Sequence, residues 1–416
     1  MTIATLTDRD VAPVVDDRLP ARVSPFVRTP FRLLFIFLLL VVSAVAWRKG
    51  TYYEGGADGV VVVKAGLGVI ALVLAGTAPR RGAAWSELRA GLVPWLGLYL
   101  TIGSIGALLH GSGFPSLVLA ARVGLLATTL ILLFRCYPRH QVLSALTTAM
   151  VVLATFSSTT GISSLATEGR LYGGIPPLNA NEIALLMSVP LVCLVWRCLH
   201  RVATTKEVLA IPPLLGIVFL TGTRTGLAAL VVALAILVVM APRVSLPVFG
   251  LSVTVLPAMI YVAYFTPVLD GYATRGDTAS VLTLNSRTVA WQAALDYPDG
   301  LTERLFGVGL SVKQIPVSAM YRHEQILDST WMSAIVQTGV LGVVALALLV
   351  IVTLLRALAL PPPYRSLTVG VLLMILIVSG LESGLFDASV AFVAFFSFAF
   401  VAQDALVQKV GGEDRP

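Results

Sequence analysis

Residues 285–330 read NSRTVAWQAALDYPDGLTERLFGVGLSVKQIPVSAMYRHEQILDST. They form most of a polar interval, residues 267–327, that lies between two strongly apolar runs at 244–266 and 329–355. Almost all of the remaining chain is hydrophobic. This interval is therefore the one long stretch with room for a folded element outside the apolar runs, and the chain is organised around it.

The composition predicts an integral membrane protein. Hydrophobic residues make up 57% of the chain, charged residues only 12%, and the mean hydropathy is +0.90. A soluble protein would carry about 25% charged residues, and the apolar runs here approach the ~20 residues that span a bilayer. Spanning segments must satisfy their own backbone groups, so we expect an all-α fold.

The positions of the apolar runs predict about twelve transmembrane helices. They lie at residues 32–47, 59–78, 91–109, 115–134, 142–160, 182–200, 207–222, 225–241, 244–266, 329–355, 366–380 and 385–407. The resulting organisation is a disordered cytoplasmic tail (1–31), spans one to nine (32–266), an extracytoplasmic loop with short helices (267–327), spans ten to twelve (328–407) and a cytoplasmic tail (408–416).

The net charge of +7 is explained by topology rather than by a nucleic-acid partner. Most Lys and Arg residues fall in short loops on one side of the predicted bundle, whereas the long interval holds few. The positive-inside rule then puts both termini in the cytoplasm and the interval outside, although Arg48 and Lys49 go against it. The three cysteines, Cys136, Cys193 and Cys198, have no metal-ligand spacing and read as small core residues.

Arg224 lies in the tight connection TGTRTG, residues 221–226, between two apolar runs. An interfacial arginine often extends to lipid headgroups, which is the ordinary explanation. However, outer arginines are disfavoured by topology, and a short Gly/Thr turn exposes helix-terminal N–H groups beside the guanidinium. That combination suits a phosphate group, so both explanations stay open.

Arg287 opens a short amphipathic helix, residues 286–295, for which Ser286 is a plausible N-cap. The helix could lie on the membrane surface with Arg287 on lipid phosphate, or Arg287 could reach over a cavity mouth. The turn LFGVG, residues 305–309, could let backbone approach a ligand, but a simple turn is the better explanation.

Asp328 immediately precedes the tenth apolar run, where Asp-Ser-Thr reads first as a helix N-cap. A carboxylate at a cavity mouth can also accept a proton from a hydroxyl group, so a catalytic role stays open. His323 and Glu324 lie just upstream as competing bases.

Two charged residues, Lys64 and Arg122, fall inside apolar runs. Each costs about 2.5–3.5 kcal/mol or more to insert, and such residues usually face a polar cavity, so we expect a functional role. Residues 169–182, which include Arg170, Asn179 and Asn181, are polar and rich in turn formers. That content alone predicts a loop entering a helix.

Four local patterns together resemble the bacterial O-antigen ligase and O-antigen polymerase superfamily. They cover roughly residues 169–355 and read GRLYG with PLN (169–173, 177–179), TRTG (223–226), NSR with Trp291 and GVG (285–287, 307–309), and DS with QTGVLG (328–329, 337–342). The ligases carry a His at the place of Asp328, so Asp here looks more like the polymerase branch.

The resemblance implies a GT-C-like glycosyltransferase that is metal-independent, needs no cofactor and acts on the outer face of the cytoplasmic (inner) membrane. Its donor would be an undecaprenyl-diphosphate-linked glycan and its acceptor a glycan or lipid-linked glycan. Direct attack by the acceptor hydroxyl would invert the anomeric centre. The implied catalytic residues are Asp328, Arg287 and Arg224, and the implied substrate-binding residues are Arg224, Arg287, Arg122, Lys64, Arg170, Asn179 and Asn181.

Two other classes of function stay open. A transporter or flippase of lipid-linked oligosaccharide would share the basic outer cavity, but it predicts polar residues that continue towards the cytoplasmic side, and the sequence shows no internal repeat. A non-catalytic membrane scaffold would give no reason for arginines to gather on the outer side against the topology rule.

Overall fold

The computed structural model describes residues 29–47, 59–79, 91–241, 283–319 and 322–413. The predicted ninth span (244–266), nearly all of the predicted N-terminal tail, and Arg48 and Lys49 lie outside these residues. Within them the chain forms fourteen helices and one two-stranded sheet. The elements are α1 Phe31–Ala44, α2 Gly59–Gly76, α3 Val93–Leu109, α4 Gly113–Cys136, α5 Arg139–Thr160, α6 Ser164–Glu168, α7 Ala180–Leu199, α8 Thr205–Leu220, α9 Arg224–Val239, α10 Thr283–Asp296, α11 Leu301–Phe306, β1 Gln314–Ala319, β2 Arg322–Ile326, α12 Thr330–Leu358, α13 Pro362–Leu381 and α14 Val390–Glu413.

The helices agree with the prediction of an all-α membrane protein. Six of them, α2, α4, α5, α7, α12 and α13, are long and apolar enough to cross a bilayer. Four shorter apolar helices, α1, α3, α9 and the first part of α14, lie where further spans are predicted, and α8 matches another. The total of twelve spans stays a prediction.

Capping chemistry at helix starts explains several boundaries. Asn179 accepts a hydrogen bond from the N–H of Glu182 at 2.7 Å, and Glu182 accepts one from the N–H of Asn179. Thr204 and Glu207 form the same reciprocal capping box at the start of α8. The expectation of a loop entering a helix near Asn179 is therefore confirmed.

Two predicted N-caps are wrong. The N-cap of α12 is Ser329, and no side-chain hydrogen bond caps this helix, so Asp328 lies one residue before the cap. The helix expected to begin at Ser286 begins at Thr283, which puts Ser286 inside α10. Sequence pattern gives helix ends only to within a few residues, since any of several neighbouring Ser, Thr or Asp residues could cap.

The core is formed around α7 and α14. Most side chains of α7 are buried, and α14 contributes a cluster of ring contacts between Phe392, Phe395, Phe396 and Phe400. By contrast, α2 exposes much of its apolar surface, including Val62, Val63, Val69, Ile70 and Val73. Lipid tails solvate such side chains as well as other side chains do, so this exposure is expected on a membrane helix.

The described part of the long interval is more structured than predicted. It contains α10 and α11 and also an antiparallel hairpin of β1 and β2, which the sequence analysis did not anticipate. A small cluster of buried side chains joins these elements to α12: Ala294, Val308, Ile315, Leu327 and Val336. The hairpin was missed because Pro316 lies inside β1 and Ile326 is the single apolar residue of β2.

The GVG segment, residues 307–309, docks on a break in α12. The N–H of Val308 donates to the carbonyl of Val336 at 2.9 Å, and the N–H of Gly309 donates to that of Gln337 at 3.0 Å. The break occurs at Gly339, whose φ is 63°. These glycines therefore bring loop backbone against a helix rather than against a ligand, which matches the structural explanation given above.

We expect Gly339→Ala to destabilise the protein by about 1–3 kcal/mol, because an alanine is strained at this φ. A Cβ at this position would also lie 2.5 Å from the carbonyl of Leu305. Thermal unfolding of the purified protein measures the effect. Gly97→Ala is the control, since a Cβ there meets nothing within 4 Å. Equal melting temperatures for the two variants would contradict the proposed docking.

Candidate functional site

A cavity of about 300 Å³ lies at one end of the helical bundle. It is bounded by the end of α1, the first halves of α2 and α4, the start of α7, the segment before α12, the end of α13 and the start of α14. In the predicted orientation this is the outer end. Its polar and charged lining residues are Lys64, Arg122, Asn179, Asn181, Glu182, Lys313, Asp328, Ser379, Glu382, Ser383, Asp387 and Ser389.

Five residues singled out from the sequence line this one cavity: Lys64, Arg122, Asn179, Asn181 and Asp328. They come from four separate parts of the chain. Lys64 and Arg122 lie in the outer halves of α2 and α4 in the predicted orientation, and both are half-buried. Both ionisable side chains thus face a polar space, as expected from the free-energy cost of a charge in lipid.

The two basic residues of the cavity are held by the end of α1. The ammonium group of Lys64 donates to the carbonyl of Val45 at 2.8 Å, and Arg122 donates to the carbonyl of Ser43 at 3.5 Å. The last carbonyls of a helix lack intrahelical partners and carry partial negative charge, so cations are stabilised there. This contact fixes two positive charges on one wall of the cavity.

The cavity is also lined by amide and carboxylate groups. The side-chain amide of Asn181 donates to Glu382 at 2.5 Å. Glu182 accepts a hydrogen bond from the N–H of Ala46 at 3.3 Å in addition to its capping-box contacts. Asp328, half-buried, lies on the short segment between β2 and α12. The cavity therefore brings cations and hydrogen-bond acceptors together, and Glu182 and Lys64 both contact the end of α1.

At this cavity an ion pair joins the long interval to the segment between α13 and α14. The ammonium group of Lys313 lies 2.5 Å from Asp387, and the two side chains are 14% and 29% exposed. Lys313 precedes β1, whereas Asp387 lies between α13 and α14. The pair fixes the base of the hairpin next to the cavity.

Reversing either charge of this pair is expected to destabilise the docked loop. Lys313→Glu and Asp387→Lys should each cost about 2 kcal/mol, between the values for exposed and buried ion pairs. The double variant should recover most of the loss because it restores opposite charges. The melting temperatures of the unaltered protein, the two single variants and the double variant are the measurement. A double variant that melts no higher than the less stable single variant would contradict the proposed ion pair.

Arg170 and Arg224 lie beside a neighbouring turn. Arg170 donates to the carbonyl of Thr221 at 3.0 Å and stacks over the ring of Tyr172. Arg224 is exposed and is the first residue of α9. Neither of these two is among the described residues that line the 300 Å³ cavity.

The Arg224 turn nevertheless adjoins the cavity through a narrow crevice. Thr223, Thr225 and Gly226 line this crevice together with Asn181 and Glu382, which also line the cavity. Asn181 and Glu382 therefore form a shared wall between the two spaces. The hypothesis that Arg224 contributes to one site with Arg122 and Lys64 stays a prediction.

Arg287 lies within α10, but its side chain is outside the described residues, and so is that of His323. Glu324, the other competing base, is exposed on β2. The structure thus brings five predicted residues together and puts two at an adjoining turn. Where the side chain of Arg287 points stays a prediction.

Four charged cavity residues escaped the sequence analysis: Glu182, Lys313, Glu382 and Asp387. Glu182 could have been found, because a Glu three residues after Asn179 is a capping-box pattern. Glu382 stands between the last two predicted apolar runs, and Asp387 falls inside the last one, 385–407, where the free-energy cost of a charge in lipid also favours a polar cavity. Lys313 gave no signal, since it lies in the long polar interval, where a charge is not costly.

Within the described residues, no group of three or more His, Cys, Asp or Glu side chains is arranged to hold a metal ion. The chemical groups that the cavity offers are two fixed cations, a lysine–aspartate pair, two side-chain amides and three further carboxylates. Such a set can bind both an anionic group and hydroxyl groups.

One part of the chain matches a known protein family. Residues 209–347 match the family model described as O-Antigen ligase, which is about a third of the chain and runs from α8 into the first part of α12. The match supports the O-antigen ligase/polymerase superfamily. It includes Arg224, Arg287 and Asp328, whereas Lys64, Arg122 and Arg170 lie before it. No curated protein matches the chain.

Proposed function

We propose that this multi-pass membrane protein is an inverting glycosyltransferase of cell-surface polysaccharide. The proposal starts from the match of residues 209–347, which supports the O-antigen ligase/polymerase superfamily. Its donor is a glycan linked to undecaprenyl diphosphate, and its acceptor is a glycan or a lipid-linked glycan. It acts on the outer face of the cytoplasmic membrane, and both of its termini lie in the cytoplasm. Its domain boundaries are those predicted from the sequence.

The observation that carries this proposal is one cavity that is lined by Lys64, Arg122 and Asp328. Glycosyl transfer from a lipid diphosphate needs two things at one place. Positive groups must stabilise the charge that develops on the leaving diphosphate, and a base must take the proton of the attacking hydroxyl. A polar cavity at one end of an apolar bundle also suits a donor that is anchored in the bilayer.

The proposed reaction is a direct displacement at the anomeric carbon of the donor sugar. An acceptor hydroxyl attacks the anomeric carbon of the donor sugar and forms the new glycosidic C–O bond, while its proton passes to the carboxylate of Asp328. The bond between the anomeric carbon and the phosphate oxygen breaks, and its electron pair leaves with undecaprenyl diphosphate. Arg224, Arg287, Arg122 and Lys64 stabilise that leaving group, and Arg170 supports the Arg224 turn through Thr221. Asn179 and Asn181 bind glycan.

Asp328 also bears on the kind of transfer. The resemblance associates an acidic residue at this place with polymerases and a histidine with ligases. We therefore propose chain polymerisation ahead of ligation to a separate acceptor.

Reconstitution tests the proposal against the flippase alternative. The protein is inserted in proteoliposomes with labelled lipid-linked glycan extracted from cells that lack this chain. We expect longer glycans and released undecaprenyl diphosphate. Translocation of the label without new glycosidic bonds would support the flippase and refute the enzyme.

A further inference from the structure

The ion pair of Lys313 and Asp387 lies beside the segment that carries the proposed base. Both of its side chains line the 300 Å³ cavity together with Asp328. The carbonyl of Lys313 accepts a hydrogen bond from the N–H of Leu327 at 3.0 Å, and Leu327 directly precedes Asp328. The backbone at the base of the hairpin therefore holds Lys313, and with it the ion pair, next to the segment of Asp328.

Other contacts also hold the base of the hairpin. The side-chain amide of Gln337 donates to the carbonyl of Val312 at 2.7 Å, and the N–H of Ser311 donates to the hydroxyl of Ser116 at 3.1 Å. Buried apolar side chains, among them Ile315, pack the hairpin against α12. An ion pair is often no more stabilising than apolar contacts in its place, so anchoring alone gives no reason for two charges here.

The chemistry of the ion pair suits the hydroxyl groups of a sugar. An ammonium group has several N–H donors and an ionised carboxylate several acceptor sites, so the bond between them uses only part of either group's capacity. Lys313 and Asp387 stay partly exposed, and both line the cavity. Neighbouring hydroxyls of a sugar ring can accept from the ammonium and donate to the carboxylate, in charge-assisted hydrogen bonds. Because its two charges cancel, the pair offers a diphosphate little net attraction.

We propose that Lys313 and Asp387 bind neighbouring hydroxyl groups of the acceptor sugar and hold its attacking hydroxyl next to Asp328. The pair thus binds the acceptor, apart from the basic groups proposed to stabilise the donor diphosphate. This inference rests on the proposed glycosyltransferase function. It assigns a substrate contact to Asp387, which lies beyond the part of the chain that matches the family model, residues 209–347.

The test compares Asp387→Asn and the double variant Lys313→Glu/Asp387→Lys with the unaltered protein in proteoliposomes. Initial rates of glycosidic bond formation are measured against the concentration of lipid-linked glycan extracted from cells lacking the chain. Asp387→Asn keeps the shape but removes the charge, so the apparent KM should rise about tenfold or more, as expected when hydrogen bonds to a charged group are lost. Its binding of undecaprenyl diphosphate should not weaken, whereas Arg224→Ala should weaken that binding.

The double variant separates sugar binding from anchoring. It restores opposite charges, so its melting temperature should approach that of the unaltered protein. The donor and acceptor groups have exchanged places, however, and no longer match the hydroxyls of the sugar. Its KM should therefore stay raised about tenfold or more. A normal KM together with a recovered melting temperature would show that the pair only anchors the hairpin, and would overturn the inference.

Glu303→Gln is the matched control, because it alters another contact between the long interval and the helical bundle. The carboxylate of Glu303, on α11, lies 3.4 Å from Nε2 of His110 at the end of α3. Neither residue is among the described residues that line the cavity. Its KM should equal that of the unaltered protein. A rise as large as that of Asp387→Asn would trace the effect to a loosened interval and overturn the inference.

An unchanged KM in Asp387→Asn, with normal turnover of the unaltered protein, overturns this inference and leaves the glycosyltransferase proposal standing. Loss of undecaprenyl diphosphate binding in Asp387→Asn also overturns it, since Asp387 would then support the donor site. If the unaltered protein forms no glycosidic bond, the proposed function and the inference fail together. Should Asp387→Asn not accumulate, the KM of the double variant decides.

Discussion

Asp328→Asn is expected to lower the kcat of glycosyl transfer by about 10²–10⁴-fold, the usual contribution of a positioned general base. Asparagine has nearly the same shape as aspartate but cannot take a proton from the acceptor hydroxyl. Asp328 does not cap α12, because Ser329 occupies that position. The change should therefore leave the melting temperature close to that of the unaltered protein. Initial rates in proteoliposomes and thermal unfolding measure the two effects.

The control for this prediction is Asp299→Asn, at an exposed aspartate in the same long interval. It should keep normal kcat, since Asp299 lies in the turn before α11 and outside the cavity lining. Full turnover by Asp328→Asn would remove Asp328 from the mechanism. His323 and Glu324 would then be tested as the base in the same assay.

Arg224→Ala and Arg287→Ala should each lower kcat by about 10²–10³-fold, because each removes a preorganised positive group from the developing charge of the leaving diphosphate. Arg224 is exposed at the start of α9, so its replacement should not disturb the core. Rates of chain extension and binding of undecaprenyl diphosphate are the measurements. Lys206→Ala, at an exposed lysine near the start of α8, is the control.

The two arginines also test the extent of the site. If Arg224→Ala retains full activity while Arg122→Ala loses it, the diphosphate lies against α2 and α4 and not at the α8–α9 turn. If both Arg224→Ala and Arg287→Ala behave like the unaltered protein, the proposed leaving-group site is wrong.

Much of the fold could be predicted because hydrophobic runs are a local property. The bilayer requires each spanning segment to satisfy its own backbone, so a run such as 182–200 becomes a helix whatever surrounds it. The observed α7, Ala180–Leu199, differs from that prediction by only a few residues. The long interval was less predictable, since the hairpin of β1 and β2 depends on packing against α12 through residues such as Ile315.

Residues of the candidate site could be predicted where a charged side chain lies inside an apolar run, because burying that charge in lipid costs free energy. Lys64 and Arg122 stand out within apolar runs, and both line the cavity. Asp387, inside the last predicted apolar run, could have been found in the same way, but no sequence pattern pairs it with Lys313, which lies in the long polar interval.

The sequence by itself determined that this chain is a helical membrane protein, where most of its described apolar helices lie, and that Lys64 and Arg122 need a polar surrounding. Those properties follow from the free energy of each segment in lipid. Only the tertiary structure decided that Asn181 meets Glu382, that Ser329 rather than Asp328 is the N-cap of α12, and that one cavity gathers five residues predicted from four parts of the chain. The physical reason is that such contacts depend on how whole helices pack, and packing joins residues that no local pattern relates.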